Sequence, residues 1–134
     1  MGEHPERVRR RLVPDPAQVQ IILGSLLGGA RIEGRGGERR LRVDAAVERA
    51  GYVLWKYERL AALSDRAPIA HGERIGFCTI AHPLFDDLAA LFPVRRRAIL
   101  RLLTPLGLAV WLTDVGRLEL RPEVFVPLAG PLAA

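Results

Sequence analysis

The sequence predicts an α+β domain in which antiparallel β-hairpins are covered by helices, and three observations lead to this fold class. Helix-like segments begin at prolines and end at glycines. Gly36-Gly37 and His71-Gly72 each separate two short alternating runs, a pattern typical of β-hairpins. The order along the chain is helix, hairpin, helix, hairpin and then three helices. A chain of 134 residues is long enough for one domain with a single core.

A helix and a hairpin are predicted at the start of the domain. Asp15 is an N-cap acceptor before Pro16 at the first helical position, and Gly28-Gly29 is a typical helix stop. In the hairpin that follows, alternation places apolar side chains on one face and charged side chains on the other. The apolar face carries Ile32, Leu41 and Val43, and the charged face carries Arg31, Glu33, Arg35, Arg40, Arg42 and Asp44. One face of this hairpin is therefore rich in guanidinium groups.

The later elements follow from spacing and from proline and glycine positions. Residues 45–63 have helical spacing, with an inward face of Val47, Ala50, Val53, Leu54, Tyr57, Leu60 and Ala61. After the second hairpin, Pro83 begins a helix, residues 94–103 form a short basic helix, and Thr104-Pro105 begins a last helix that ends at Gly116. One or two short strands are expected beyond it. The chain divides into a basic N-terminal segment, residues 1–14, and a single domain, residues 15–134.

The charge of the chain favours a nucleic-acid partner. The formal net charge is +5 and the isoelectric point is about 10.6, and Lys56 is the only lysine in an arginine-rich sequence. A thermophile-like coding bias is the alternative explanation of this composition. No apolar run reaches the ~20 residues that cross a bilayer, and no signal-type segment opens the chain. We therefore expect a cytoplasmic protein without a membrane partner. The lone cysteine, Cys78, is expected to be a buried core thiol.

Two apolar helices carry small residues at the spacing of a close helix–helix contact. The first holds Gly24, Ser25 and Gly28, and the last holds Gly107 and Ala109. Glycine inside a helix costs about 1 kcal/mol, and close approach of two backbones is a packing reason to accept that cost. We therefore predict that these two helices pack together at the centre of the domain.

Four segments in series resemble the LAGLIDADG homing endonucleases. They read "GSLLGGARI", "RLRVDAAVERAGYVLWKYERL", "FCTIAHPLFDDLAALF" and "LLTPLGLAVWLTDVG". They are most similar to the branch whose two motifs are GxLLGDG and LAxWxMDDG, and the resemblance covers Gln18 to Gly116. It implies a LAGLIDADG-like fold with the two motif helices packed at its centre. Because few residues follow Gly116, the resemblance also implies a degenerate copy whose second half-unit is truncated.

The resemblance bears directly on catalysis. In that family an acid at the end of each motif helix holds divalent metal, usually Mg²⁺, at the scissile phosphates. The matching positions here are Gly29 and Val115, which offer no side-chain ligand. Asp114 lies one residue before the second position, and a rotation of about 100° is expected to point its carboxylate away from the shared centre. No cofactor and no catalytic residue are therefore expected, and Asp114 is the only candidate metal ligand at these helix ends.

Three functions are consistent with the sequence. The first is an inactive homing-endonuclease-like protein that still binds double-stranded DNA. The second is an active metal-dependent endonuclease with a site rebuilt around Asp114 in a dimer, and the third is a structural or protein-interaction module without DNA binding. Candidate DNA-binding residues are Arg31, Arg35, Arg40, Arg42, Arg95, Arg96 and Arg97. A homodimer is expected because the flank of the last helix would otherwise be uncovered.

Several other residues have simpler structural interpretations. Trp55 and Trp111 lie on apolar helices and are expected in the core. His71 and His82 lie at a turn and at a helix start, without a second ligand at a workable spacing for a metal site. Asp86-Asp87 opens a helix, where carboxylates favour the positive end of the dipole.

Overall fold

The computed structural model describes residues 5–92 and 95–116 as an α+β domain. Short 3₁₀ turns at Val47–Arg49 and Ala61–Leu63 flank its third helix. The elements are α1 (Pro5–Arg9), α2 (Pro16–Leu27), β1 (Arg31–Glu33), β2 (Arg40–Ala46), α3 (Ala50–Leu60), β3 (Ile69–His71), β4 (Arg74–Cys78), α4 (Pro83–Leu91), α5 (Arg96–Leu102) and α6 (Pro105–Asp114). The predicted class is confirmed, and so is the order of hairpins and helices from α2 to α6, whereas the short helix α1 was not predicted. The strands expected after Gly116 lie outside the described residues.

The two hairpins join into one four-stranded antiparallel sheet with the order β1-β2-β4-β3. The central strands β2 and β4 pair with Val43 opposite Phe77. These two side chains and Leu41 are buried on one face of the sheet, where they form part of the core with the helices. The alternation predicted for the first hairpin is therefore confirmed for Leu41 and Val43, and the opposite face is left polar.

The first hairpin is shorter than predicted. β1 ends at Glu33, and residues 34–39 form the connection to β2, with Gly34 and Gly37 at φ +97° and +82°. Placing Arg35 on the strand face was therefore wrong, because β1 has already ended and the left-handed Gly34 turns the chain immediately before Arg35. Gly37 donates its N–H to Asp86 Oδ1 at 2.9 Å. This bond ties the connection to α4.

The helices α2 and α6 pack directly against each other at the centre of the domain. A Cβ on Gly24 would overlap the carbonyl oxygen of Gly107, and a Cβ on Gly28 would overlap the side chain of Asp114. All of α2 from Gln20 to Leu27 is buried. The predicted packing of the two central helices is confirmed. Their glycines allow a backbone approach that any larger residue would prevent.

The ends of α2 follow the sequence signals closely. The Asp15 carboxylate accepts the Gln18 backbone N–H at 2.8 Å, and the Gln18 side chain accepts the Asp15 N–H at 3.0 Å. This is a capping box with Pro16 at the first helical position. At the other end Gly28 is the C-cap and Gly29 follows with φ +116°.

The buried face of α3 differs from the predicted one. Leu54 and Ala61 are exposed, whereas Tyr52, Trp55 and Lys56 are buried. The inward prediction for Leu54 and Ala61 was therefore wrong. β2 extends to Ala46 and a 3₁₀ turn follows, so the helix begins later than its sequence pattern suggests, and its contacts with α2 and the sheet decide which side is buried.

The segment before α2 is tied to the rest of the domain. Arg9 donates hydrogen bonds to the carbonyl oxygens of Ala61, Ala62 and Ser64, just after α3. His82 caps the start of α4 by accepting the Leu84 N–H on Nδ1 at 3.1 Å, and its Nε2 lies 2.7 Å from the carbonyl oxygen of Leu12. These contacts hold the segment before α2 against the chain just after α3 and against the start of α4.

The acidic pair at the start of α4 does not cap the helix. Asp86 accepts the Gly37 N–H and lies 3.4 Å from Arg39 Nη1, so it contacts the first hairpin, while Asp87 is exposed. His82 provides the side-chain cap, while Asp86 lies in the first turn of α4, where the sequence placed an acid near the positive end of the helix dipole. Within the described ranges, no helix is long and apolar enough to span a bilayer.

Candidate nucleic-acid interface and helix-end cleft

The outer face of the sheet gathers arginines from three strands. Residues that are directly opposite in register share a face, and Arg31 faces Arg42 while Arg74 faces Ala46. We call this surface the polar sheet face, and its charged residues are Arg31, Glu33, Arg40, Arg42, Asp44 and Arg74. Four guanidinium groups therefore lie beside two carboxylates.

Asp44 lies at the centre of the polar sheet face. Its Oδ2 is 3.7 Å from Arg31 Nη2 and 3.8 Å from Arg42 Nε, and its Oδ1 accepts a hydrogen bond from Arg74. The Arg31 and Arg74 side chains are 62% and 60% exposed, whereas that of Asp44 is 21% exposed. One carboxylate thus lies within ion-pair distance of three arginines, of which Arg31 and Arg74 remain largely exposed.

Arg40 and Arg42 are more engaged with the protein. Arg40 Nη1 lies 3.7 Å from Asp65 Oδ2 and 3.5 Å from the carbonyl oxygen of Thr79. Arg42 Nη1 donates to the sulfur of Cys78 at 3.6 Å, and this hydrogen bond, opposed by burial, raises the pKa of Arg42. Cys78 is half-buried on the polar sheet face because it faces Arg42 in register. Its prediction as a core thiol was wrong.

The predicted arginines do not all meet on one surface. Arg31, Arg40 and Arg42 lie on the polar sheet face, and Arg35 is exposed in the hairpin connection. Arg95, Arg96 and Arg97 are exposed at the start of α5, and the described contacts do not join them to the sheet. Arg74 was missed by sequence reasoning. The alternation of Ile75 and Phe77 with Arg74 in β4 was the signal that could have found it.

A cleft of about 360 Å³ lies where the C-terminal ends of α2 and α6 approach α3 and β2. Gly28 and Gly29 line it from α2, and Asp114 lines it from α6. Asp44 and Arg74 also line it, so the cleft is continuous with the polar sheet face. The helix ends and the arginine cluster therefore form one connected site.

A buried ion pair closes one wall of this cleft. Lys56 Nζ donates to Asp114 Oδ1 at 2.9 Å and to Oδ2 at 2.8 Å. Their side chains are 4% and 11% exposed. Burial lowers the pKa of Lys56 below its usual value, and the attraction of Asp114 opposes this effect. The carboxylate of Asp114 is therefore held on both oxygens by an ammonium group of the same chain.

Two further side chains, from the start of α3 and the turn before it, bind the end of α6. Arg49 Nη2 donates to the carbonyl oxygen of Thr113 at 2.6 Å, and the Tyr52 hydroxyl donates to that of Val110 at 3.2 Å. The Lys56 ammonium lies 4.8 Å from the centre of the Tyr52 ring. Burial, reinforced by the nearby Asp114, raises the pKa of Tyr52. The end of α6 is thus held by three neighbouring side chains, none of which was identified from the sequence as functional.

The position of Asp114 corrects an expectation. Its carboxylate was expected to point away from the point where the helix ends converge. The structure instead places its side chain against Gly28 and in the wall of the cleft that Gly29 lines. Gly28 has no side chain, and this leaves the space that Asp114 occupies. Val115 is the exposed C-cap of α6.

The donor set at the helix ends does not fit a divalent metal ion. Gly29 and Val115 supply no side-chain ligand atom, and both oxygens of Asp114 accept from Lys56. A hard divalent cation needs several oxygen ligands at one point. Within residues 5–92 and 95–116, no group of three or more His, Cys, Asp or Glu side chains could hold one.

The comparison with protein families identifies the fold. A family model described as the LAGLIDADG DNA endonuclease family matches residues 19–125. The chain belongs to this family. The match begins within α2 and continues past the end of α6, so it includes most of α2, all of α6 and the whole sheet. The resemblance stated from the motifs is therefore confirmed, and the matched region extends beyond Gly116.

The curated relatives of this LAGLIDADG-family chain include two bacterial proteins named Protein RecA. The one from Mycolicibacterium fallax is 31% identical over 137 residues, and the one from Mycobacterium gastri is 28% identical over 139 residues. The alignments cover 91% and 92% of this chain but 31% and 32% of the relatives. The chain therefore spans about a third of the length of the curated relatives that it matches.

Solved structures that resemble the chain include one of a variant of I-DmoI in complex with its target DNA, nicked in the coding strand, in the presence of manganese. The TM-score is 0.44 at 13% sequence identity. The aligned region covers 90% of this chain and 76% of that one.

Proposed function

We propose that this LAGLIDADG-family domain binds double-stranded DNA through the polar sheet face and does not cleave it. The observation that carries the proposal is the cluster of Arg31, Arg42 and Arg74 around Asp44, in which the Arg31 and Arg74 side chains are largely exposed. Membership of a family of DNA endonucleases makes duplex DNA the expected polyanion. The net charge of +5 also favours binding of a polyanion such as DNA.

The proposed binding mode is neutralisation of phosphates. Guanidinium groups bind phosphate oxygens with two parallel N–H bonds, and each contact releases counterions from the duplex. Asp44 lies within ion-pair distance of all three arginines, and its charge favours keeping their guanidinium groups together on this face. Because phosphates carry no base identity, such contacts give affinity with little sequence preference.

The absence of cleavage is proposed from the helix ends. A two-metal phosphodiesterase site needs carboxylates from both helices at one point. Gly29 supplies none, and Asp114 is ion-paired with Lys56. This pairing also argues against an active site rebuilt around Asp114. No Mg²⁺ cofactor is expected for this chain.

A salt series tests the DNA proposal with charge-matched variants. Fluorescence anisotropy with a labelled duplex gives the slope of log affinity against log salt. Arg31→Ala/Arg74→Ala should lower the magnitude of this slope by about two, since each phosphate contact contributes about 0.9. The control Arg7→Ala/Arg101→Ala removes two exposed arginines of α1 and α5 and should leave the slope nearly unchanged. Equal slopes for the two variants would refute the polar sheet face as the DNA interface.

A second candidate role is self-association through α6. Leu108 of α6 is 43% exposed, and it lines an apolar groove with Leu100, Leu103, Pro105 and Trp111. We propose that a second copy of the chain covers this groove to form a homodimer. Light scattering at high protein concentration should give twice the chain mass, and Leu108→Glu should return it to the monomer mass. A monomer mass for the wild type would contradict the dimer.

A further inference from the structure

The ends of α2 and α6 concentrate negative charge in one place. A helix C-terminus carries the equivalent of about half a negative charge, because its last carbonyl oxygens have no intrahelical partner. The α2 end at Gly28 and the α6 end at Asp114 are in contact. The Asp114 carboxylate adds a full charge at the same point and is only 11% exposed. A cation is needed there to offset this charge.

The helix α3 supplies that cation from within the chain. Lys56 Nζ lies 2.8 and 2.9 Å from the two oxygens of Asp114. The Tyr52 ring faces this ammonium at 4.8 Å and the Arg49 guanidinium at 5.4 Å. With 3% of its surface exposed, Lys56 is among the most buried charged residues of the described ranges. The ammonium is therefore held in a shaped site with an acid and an aromatic ring.

We propose that this is a tethered-cation site, in which the Lys56 ammonium takes the place of a free cation between Asp114 and the two helix ends. The domain then holds these helix ends together without any metal ion. Removal of the Lys56 side chain should open a site that accepts a free cation of matching size. This inference is independent of DNA binding, so its outcome and that of the proposed function can be told apart.

Chemical rescue tests the proposal directly. Lys56→Ala removes three methylene groups and the ammonium, which together correspond to propylammonium. Wild type and variant are melted with propylammonium chloride, and with equal concentrations of sodium chloride and 1-propanol as ionic and neutral controls. We expect the variant to melt lower than the wild type, and propylammonium to raise its Tm by about 3 °C or more, the shift that roughly 1 kcal/mol gives in a chain of this size. The wild type should not respond.

A second variant identifies the acid that holds the cation. Lys56→Ala/Asp114→Asn keeps the cavity but removes the negative charge, so propylammonium should no longer raise its Tm above the sodium chloride control. If Lys56→Ala is unfolded in buffer, circular dichroism should show propylammonium, but not propanol, restoring its helix signal. The proposal is overturned if propylammonium rescues neither folding nor Tm, or if it rescues the double variant equally.

Metal uptake by the wild-type protein provides an independent arm, with folded Asp114→Asn as its comparison. Mn²⁺ binding is measured by the loss of the free-ion electron paramagnetic resonance signal. Because the Lys56 ammonium binds both carboxylate oxygens of Asp114, this carboxylate should bind no Mn²⁺. The wild type and Asp114→Asn should therefore take up equal amounts of Mn²⁺. Uptake by the wild type that Asp114→Asn removes would show that a free metal ion reaches Asp114, and this would also overturn the proposal.

Discussion

Replacing Gly24 by alanine should destabilise the domain although alanine is the better helix former. Gly24 lies in the middle of α2, and a Cβ there would overlap the carbonyl oxygen of Gly107 and lie 2.9 Å from Val110 Cβ. The carbonyl oxygen of Gly107 is a backbone atom and cannot rotate out of the way. The two helices must therefore separate, or α6 must shift along α2.

The magnitude follows from two opposing effects. Alanine gains about 1 kcal/mol over glycine in a helix. Inserting a methyl group into a well-packed contact costs about 1–3 kcal/mol, and the rigid obstacle here favours the upper part of that range. We therefore expect Gly24→Ala to lower the free energy of unfolding by about 1–2 kcal/mol.

Gly51→Ala is the matched control. Gly51 also lies in a helix, α3, but a Cβ at that position would have no neighbour within 4 Å. The same substitution there should raise the free energy of unfolding by up to about 1 kcal/mol. Urea unfolding followed by circular dichroism measures both variants. If Gly24→Ala stabilises the domain as much as Gly51→Ala does, the close contact between α2 and α6 does not exist.

Two further stability predictions use the same unfolding assay. Asp15→Ala should lower the free energy of unfolding by about 1 kcal/mol, because it removes one side of the capping box. Asp15→Asn should lose much less stability, because its side-chain oxygen can still accept the backbone N–H. An unchanged free energy of unfolding in Asp15→Ala would contradict the cap. Asp114→Leu should cost about 3–5 kcal/mol because it leaves the Lys56 ammonium buried without a partner. Lys56→Met/Asp114→Leu should recover much of that loss, and additive losses in the double variant would contradict a direct ion pair.

Much of the fold could be predicted because local chemistry and tertiary structure agree. Asp15 and Pro16 specify the start of α2, and Gly72 marks the second hairpin turn, which lies one residue later than predicted, at Gly72-Glu73. The glycines of α2 and α6 predict the central contact because only close packing accounts for them. The resemblance to the family rested on four segments in the same order as the family motifs, which is more specific than any one segment.

The site was less predictable because it depends on residues far apart in sequence. Lys56 and Asp114 are 58 positions apart, and α3 binds the end of α6 through a tertiary approach that periodicity does not encode. The signal that was available is that the only lysine lies three residues after Val53 and four before Leu60, on the buried stripe of a helix. Arg35 was misplaced because the hairpin connection is six residues long rather than a two-residue turn at Gly36-Gly37.

DNA binding without cleavage is the central proposal for this domain, and one measurement tests both parts. Wild-type protein is titrated into a labelled duplex across a salt series, with and without Mg²⁺, and the recovered DNA is analysed for nicks. We predict affinity that falls steeply with salt, is the same with and without Mg²⁺, and leaves the duplex intact. Salt-independent or undetectable binding, or Mg²⁺-dependent nicking that Asp114→Asn abolishes, would contradict the account.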